Sequence, residues 1–382
     1  MKKILVIFGT RPEAIKLAPV ISALKKSQGL FKTVVCVTGQ HRQMLDQVLR
    51  LFHIKPQYDL DIMSKDQTLI DVTTRTLLGL KEVLTKQKPH LMLVQGDTTA
   101  AFAASLAAFY YKIPLGHIEA GLRTYNKYQP FPEEKNRHMI GVLADYHFAP
   151  TPWARQNLLQ EGVSRDRVWV TGNTGIDALL DINNQLRTSS KQRHWSSFFK
   201  DQWGLDLSKG RKLVLVTGHR RENFGEGFEH ICYALKSLAQ NNKDVDIVYP
   251  VHLNPNVRKP VFDILGQLKN NNLHLIDPLE YEPFVFLMNA SYVILTDSGG
   301  IQEEAPSLGK PVLVMRQTTE RPEGVDKGLV KLVGTNKNKI VTELERLLKD
   351  RRAYQQMSKK ANPYGDGKAS EKIIKILKKV LK

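Results

Sequence analysis

Short apolar runs alternate with longer stretches of helical periodicity along almost the whole chain. Residues 4–8, 33–38, 91–95, 114–118 and 146–149 form partly β-branched runs, and 168–170 leads into Thr171-Gly-Asn-Thr-Gly175. Runs without polar alternation, each followed by a helical pattern, predict parallel strands buried on both faces of a doubly wound sheet. The same grammar restarts at 212–217 and continues through 246–249, 273–275, 292–296 and 311–315. The expected fold class is therefore α/β, with two Rossmann-like domains. Residues 183–209 are polar and poor in β-branched side chains, which places a linker between a first domain over 1–182 and a second over 210–368. Two such domains facing across a cleft would present the carboxyl ends of both sheets, where ligands of open α/β folds bind.

Composition narrows the partners. A chain of 382 residues, 42% hydrophobic and 25% charged, suits a globular protein with two good cores. Lys+Arg 56 against Asp+Glu 38 gives a net charge of +18, a balance that suits polyanions or phosphorylated metabolites. The basic residues form no long block and are not interleaved with aromatics as a stacking surface needs, which argues against nucleic acid. The most apolar helical stretch, 100–111, is well short of the roughly 20 residues of a membrane span. Cys36 in an apolar strand and Cys232 in a helical pattern read as buried thiols of a cytoplasmic protein. No metal-ligand cluster is visible in the sequence.

The loops at the strand ends carry the candidate chemistry. Thr296-Asp-Ser-Gly-Gly-Ile-Gln-Glu-Glu-Ala-Pro306 passes from a strand through two glycines into a helix start, an arrangement that favours anions. Gly299 and Gly300 would let a bulky anion approach the backbone, and Ser298 would cap the helix or donate to a phosphate. Glu303 and Glu304 follow one turn later, within reach of a sugar hydroxyl. Gly9-Thr-Arg-Pro-Glu-Ala-Ile-Lys16 lacks the glycines of a dinucleotide fingerprint or a P-loop, but Arg11 and Lys16 flank a helix start where a phosphate would meet a guanidinium and backbone donors. Asp97 sits where the N-cap of the next helix is expected, a sufficient structural reason for it. Asp97, Glu119 and Glu133 nevertheless come from consecutive cleft-side loops. Like charges crowded together raise one another's pKa, which suits acid and base work near neutral pH. In the second domain, His219, Arg220 and Arg221 follow the first strand, and Arg316 and Arg321 follow a later one; His219 beside a diphosphate would donate as bond breaking builds charge.

In order, Gly-Thr-Arg-Pro-Glu-Ala-Ile-Lys, Gln-Gly-Asp-Thr, His-Ile-Glu-Ala-Gly-Leu-Arg-Thr, Pro-Glu-Glu-Lys-Asn-Arg, Gly-His-Arg-Arg-Glu-Asn, Asp-Ser-Gly-Gly-Ile-Gln-Glu-Glu-Ala-Pro and Thr-Glu-Arg-Pro-Glu resemble the motifs of the non-hydrolysing UDP-N-acetylglucosamine 2-epimerases. The likeness runs from Lys3 through Asn362-Pro-Tyr-Gly-Asp-Gly-Lys-Ala-Ser370. It implies a GT-B-like pair of domains whose last helix, 369–382, crosses back to the first domain. It also implies an isomerase that interconverts UDP-GlcNAc and UDP-ManNAc without nicotinamide cofactor or metal and supplies ManNAc for cell-surface polysaccharides. UDP would be eliminated across C1 and C2 to give 2-acetamidoglucal, then added back with C2 inverted. Matching positions make Asp97, Glu119 and Glu133 acid/base residues assisted by Arg137 and His219. Arg11, Lys16, His219, Ser298, Gly299, Gly300, Glu304 and Arg321 would hold UDP, Glu304 on the ribose. The resemblance further implies a homodimer and a second, activating UDP-GlcNAc at Gln40, His41, Gln43, Glu134, Arg220 and His252. Lys65-Asp66 before Gln67 departs from the pattern of that second site, which has an arginine beside the glutamine.

Other readings make different demands. A retaining GT-B glycosyltransferase shares the sheets and the Ser-Gly-Gly seat and needs an acceptor. A hydrolysing epimerase releases free ManNAc. A nucleic-acid binder would show steeply salt-dependent affinity.

Overall fold

Aliphatic side chains fill the strands of two parallel sheets from both faces, as unbroken apolar runs require. The structure, a computed structural model, describes residues 1–39, 42–64, 66–268, 271–359 and 361–381. The chain forms two compact units, Met1–Ala178 with Tyr364–Lys382, and Leu179–Pro363.

In the first unit, β1 (Lys2–Phe8), β2 (Phe31–Val37), β3 (Tyr58–Asp59), β4 (Leu91–Gln95), β5 (Leu115–Ile118), β6 (Tyr146–Ala149) and β7 (Val168–Val170) form a seven-stranded sheet in the order β3-β2-β1-β4-β5-β6-β7. The order reverses between β1 and β4, so the loops leaving these two strands open a crevice. The helix after β1, Arg11–Lys26, starts with a reciprocal cap between Thr10 and Glu13 and has Pro12 in its first turn, the position where a missing N–H does least harm. The helix Ala369–Val380 packs on it. Its start is held by the Asp177 carboxylate, which accepts from Ala369 N at 3.1 Å and Ser370 N at 2.7 Å.

The second unit places β8 (Lys212–Thr217), β9 (Val245–Pro250), β10 (Leu273–Ile276), β11 (Val293–Thr296), β12 (Val312–Val314) and β13 (Val330–Leu332) in the order β10-β9-β8-β11-β12-β13. Here the reversal falls between β8 and β11.

Two differences from the sequence reading have physical causes. β3 is an edge strand of two residues, too short for an apolar run, and the three-residue edge strand β13 is broken by Lys331. Residues 183–209 are not a linker: the helices Thr174–Leu186 and Ser189–Trp203 occupy most of them, and the boundary falls earlier, between Ala178 and Leu179. The polar composition belongs to an exposed helix face, while Phe199 is fully buried and stacks on Phe286 with ring centroids 5.9 Å apart. Cys36 and Cys232 are buried and free, and burial pushes each thiol up to about 12. Among the described residues no helix is long and apolar enough to cross a membrane.

Candidate active site

At the switch point of the first sheet a buried carboxylate ties two loops together. Glu13 accepts from Gly9 N at 3.0 Å and Thr10 N at 2.8 Å behind β1, and from Thr98 Oγ1 at 2.7 Å behind β4. Burial outweighs these donors and raises its pKa. The cap expected of Asp97 is made by its neighbour: the Thr98 hydroxyl accepts from Ala101 N at 3.0 Å at the head of the helix Thr99–Tyr110. Asp97 is thereby released. Its carboxylate takes Arg137 Nη2 at 2.5 Å, and its carbonyl accepts from Asn136 Nδ2 at 3.0 Å.

β5 runs into Glu119, whose φ of +65° lies in the left-handed region that costs a non-glycine residue roughly 1–2 kcal/mol. Two residues on, Gly121 has φ +91°, and a Cβ there would lie 2.1 Å from the Ala154 carbonyl oxygen. The Glu119 carboxylate accepts from Lys16 Nζ and Gln95 Nε2. Glu133 opens the helix Glu133–Leu143, and its Oε2 is buried with no hydrogen-bond partner among the described residues. Such an oxygen lacks a donor that a bound N–H or O–H would supply. The like-charge crowding expected from sequence is corrected: Asp97 and Glu119 each face a cation, because Arg137 and Lys16 are carried in on helices.

The second unit repeats the device between its own switch-point loops. Asp297, fully buried, follows β11 and accepts from His219 N and Arg220 N, both at 2.8 Å, in the loop after β8. The His219 ring lies with Nδ1 3.5 Å from Asp297 Oδ1 and stacks on His252 at 5.4 Å between centroids. Burial lowers the pKa of His219; Asp297 opposes that, and Arg220 and His252 reinforce it. Ser298 holds the N-cap position of the short helix Gly299–Glu304, but its side chain makes no cap bond. Arg321 bonds Glu303 and Glu320, and a Cβ on Gly299 would lie 2.5 Å from its Nη1. Gly299 thus makes room for a guanidinium and not for an incoming anion, whereas the space at Gly300 is open. Glu320 is half-buried, and although its desolvation acts to raise its pKa, Arg321 and Arg316 hold the carboxyl well below the usual range.

A family profile described as UDP-N-acetylglucosamine 2-epimerase matches residues 22–378. The UDP-N-acetylglucosamine 2-epimerase of Escherichia coli is 59% identical over 376 residues, covering 98% of each chain. The chain belongs to the UDP-N-acetylglucosamine 2-epimerase family. Among solved structures, the family member from Neisseria meningitidis bound to UDP-GlcNAc has a TM-score of 0.92 at 52% identity and covers 99% of this chain and 100% of its own. The enzyme from Methanocaldococcus jannaschii in complex with UDP-GlcNAc and UDP scores 0.81 at 34% identity, with 99% of both chains covered.

For this epimerase-family chain, the first unit brings Asp97, Glu119, Arg137 and Lys16 into bonded pairs. Lys16 forms an ion pair with Glu119. Arg11 is the half-buried first residue of its helix, and Glu304 is the half-buried last residue of the Gly299–Glu304 helix. Of the residues matched to a second sugar-nucleotide site, Gln40 and His41 lie outside the described residues, as does the side chain of Gln43. Glu134 is fully buried and accepts from Thr124 N at 3.1 Å and Tyr125 N at 2.9 Å, beside Arg137 and His138. Burial acts to raise its pKa, but those two N–H groups and Arg137 prevail and hold it low. Its role is corrected accordingly: it anchors residues 124–125 and presents no surface to a ligand. Arg220 is half-buried and His252 exposed.

Sequence reasoning gave no role to Glu13, Gln95, Asn136 or Asp297. A signal existed for two of them. Thr10 followed by Glu13 is a capping box, and Asp297 leaves a buried strand at a switch point; the bonds of Gln95 and Asn136 to distant residues have no local signature.

Proposed function

We propose that the chain interconverts UDP-GlcNAc and UDP-ManNAc by eliminating and re-adding UDP. A carboxylate of the first unit takes the C2 proton while the C1–O bond breaks and its electron pair leaves with the diphosphate, giving 2-acetamidoglucal. Re-addition returns UDP to C1 and a proton to the opposite face of C2, which is why more than one carboxylate is needed. Asp97, Glu119 and Glu133 fill the acid/base roles, with Arg137 holding Asp97 in place. Arg11, Lys16, Ser298, Gly300, Glu304 and Arg321 bind UDP, Glu304 through the ribose, and His219 supports the leaving diphosphate. Arg321 serves through its placement beside Gly299, since its charge is already shared with two acids.

The observation that carries this reading is Glu119. A carboxylate held at φ +65° by an ammonium and an amide retains backbone strain that a glycine would relieve, and such strain persists where the side chain is used. The test is proton NMR of the chain with UDP-GlcNAc in D2O. Growth of UDP-ManNAc signals with deuterium at C2 is expected. An unchanged spectrum would sink the reading and return attention to a glycosyltransferase needing an acceptor.

The second UDP-GlcNAc site is proposed through Gln43, Arg220 and His252, and it makes the rate sigmoidal in UDP-GlcNAc; hyperbolic kinetics in both directions would remove it. A homodimer is proposed as the assembly, supported by exposed Leu78, Phe109, Tyr110 and Val142 on neighbouring helices of the first unit.

A further inference from the structure

We propose that Asp297 is a positioning residue that fixes the tautomer and charge of His219. The proposal rests on the epimerase reading only for what His219 then does to the diphosphate.

Three observations carry it. Asp297 is fully buried, and its Oδ2 is committed to the backbone N–H groups of His219 and Arg220, with Asn223 Nδ2 at 3.4 Å. Its Oδ1 is buried and has no hydrogen-bond partner among the described residues, yet it lies 3.5 Å from His219 Nδ1. The same carboxylate therefore anchors the backbone of the loop and aims its remaining oxygen at the ring carried by that loop. The other groups facing the ring are the His252 imidazole stacked on it and the adjacent Arg220. Both are basic, so Asp297 alone among them favours a proton on the ring.

A small rotation of the imidazole closes the gap and makes Nδ1–H the donor to Oδ1. That leaves Nε2 as the atom that exchanges protons. The imidazolium gives its Nε2 proton to the diphosphate oxygen that receives the C1–O electron pair, and His219 is left neutral with Nδ1–H still on Asp297. On re-addition the same proton returns to Nε2, so no co-reactant is consumed. A histidine without this partner would populate the other neutral tautomer as readily.

The test is nitrogen-15 NMR of the histidine-labelled full chain, with the His219 signal assigned by its loss in His219→Gln. The expected result is an Nδ1–H neutral tautomer in the wild type. In Asp297→Asn the ring pKa should fall by about 1 unit or more, as loss of an opposite charge at this range requires, and the alkaline limb of the turnover–pH profile, where the imidazolium loses its proton, should move to lower pH with it. An Nε2–H tautomer in the wild type overturns the proposal. So does an Asp297→Asn chain whose turnover drops while the His219 titration stays in place, since Asp297 would then only scaffold the loop. Should Asp297→Asn fail to fold, the wild-type tautomer still decides. The spectrum requires no substrate, so a chain without epimerase activity would refute the functional reading and leave the tautomer result standing.

Discussion

Arg137 serves two acids, and the difference between them sets what its loss should do. Its guanidinium lies 2.5 Å from Asp97 and 3.3 Å from Glu134; the Asp97 side chain is 27% exposed and that of Glu134 is 0% exposed. Asp97→Asn removes one charge-assisted bond at a site water can reach, a loss of about 1–2 kcal/mol. Arg137→Met strips the cation from a carboxylate that water cannot reach, for which about 3–5 kcal/mol is usual. The N–H groups of Thr124 and Tyr125 remain on Glu134, so the low end, about 3 kcal/mol, is expected. Urea unfolding of both single variants and the double variant, fitted with separate transitions for the two units, measures these values and a coupling of about 1 kcal/mol. If Arg137→Met destabilises no more than Asp97→Asn, the assignment of Arg137 to Glu134 is wrong. Turnover adds an independent arm. As an acid/base group, Asp97 should lose about 10²–10⁴-fold in Asp97→Asn, and retention within about tenfold would remove it from the proton-transfer set.

Further outcomes follow from other contacts. Gly121→Ala puts a Cβ 2.1 Å from the Ala154 carbonyl oxygen at φ +91°, so a loss of about 2–4 kcal/mol is expected in a thermal melt; an unchanged melting temperature would contradict the geometry. His117 donates from Nε2 to Gly96 O at 2.7 Å, and burial lowers its pKa from 6.5 to about 3. Because the fold favours the neutral ring, this stability is fully present above pH 6.5 and is lost as pH falls toward about 3. The urea midpoint of His117→Asn should therefore depend less on pH than the wild type across that window. Asp177→Asn removes the charge from the start of the helix Ala369–Val380 and should weaken it by about 1 kcal/mol, read as faster hydrogen exchange in that helix alone. Val142→Glu places a charge on an 86% exposed apolar position and should raise the dimer dissociation constant in sedimentation, with no change if that face is free in solution.

The sheets were legible because strands buried on both faces cannot hide their apolar runs. Nine of the thirteen, all but β3, β7, β12 and β13, are also four residues or longer. The edges were not legible, since β3 contributes only Tyr58 and Asp59. Residues 183–209 misled for a related reason: composition averages over a helix, while buried Leu186, Phe199 and Leu205 attach a stretch whose other positions are largely polar. At the site, residue types were visible but pairings were not. Lys16 and Glu119 stand 103 positions apart and Arg137 and Asp97 stand 40 apart, distances over which no local pattern runs. The Asp97 cap failed on a finer point: Asp97 and Thr98 are both good caps, and only the path of the loop after Gly96, at φ +70°, decides which side chain meets the helix.

The two units solve the same problem with the same element. Each sheet reverses its strand order between two strands whose outgoing loops must be held at fixed spacing if a ligand is to bridge them. In the first unit Glu13 spans the loops after β1 and β4, and in the second Asp297 spans those after β8 and β11. Both accept from N–H or hydroxyl donors in these contacts, and both are almost wholly buried, so the hydrogen bonds answer part of the cost of desolvation. A lysine or arginine in that place would offset it more strongly, but would also put a fixed positive charge beneath the loop. Using donors that belong to the loops themselves ties carboxylate burial to loop geometry. Loss of either acid should therefore disturb the neighbouring loop before it disturbs the sheet, with raised hydrogen exchange at residues 96–99 in Glu13→Gln and at 218–223 in Asp297→Asn; exchange spread evenly over β1 or β8 would show that the acid supports the core instead.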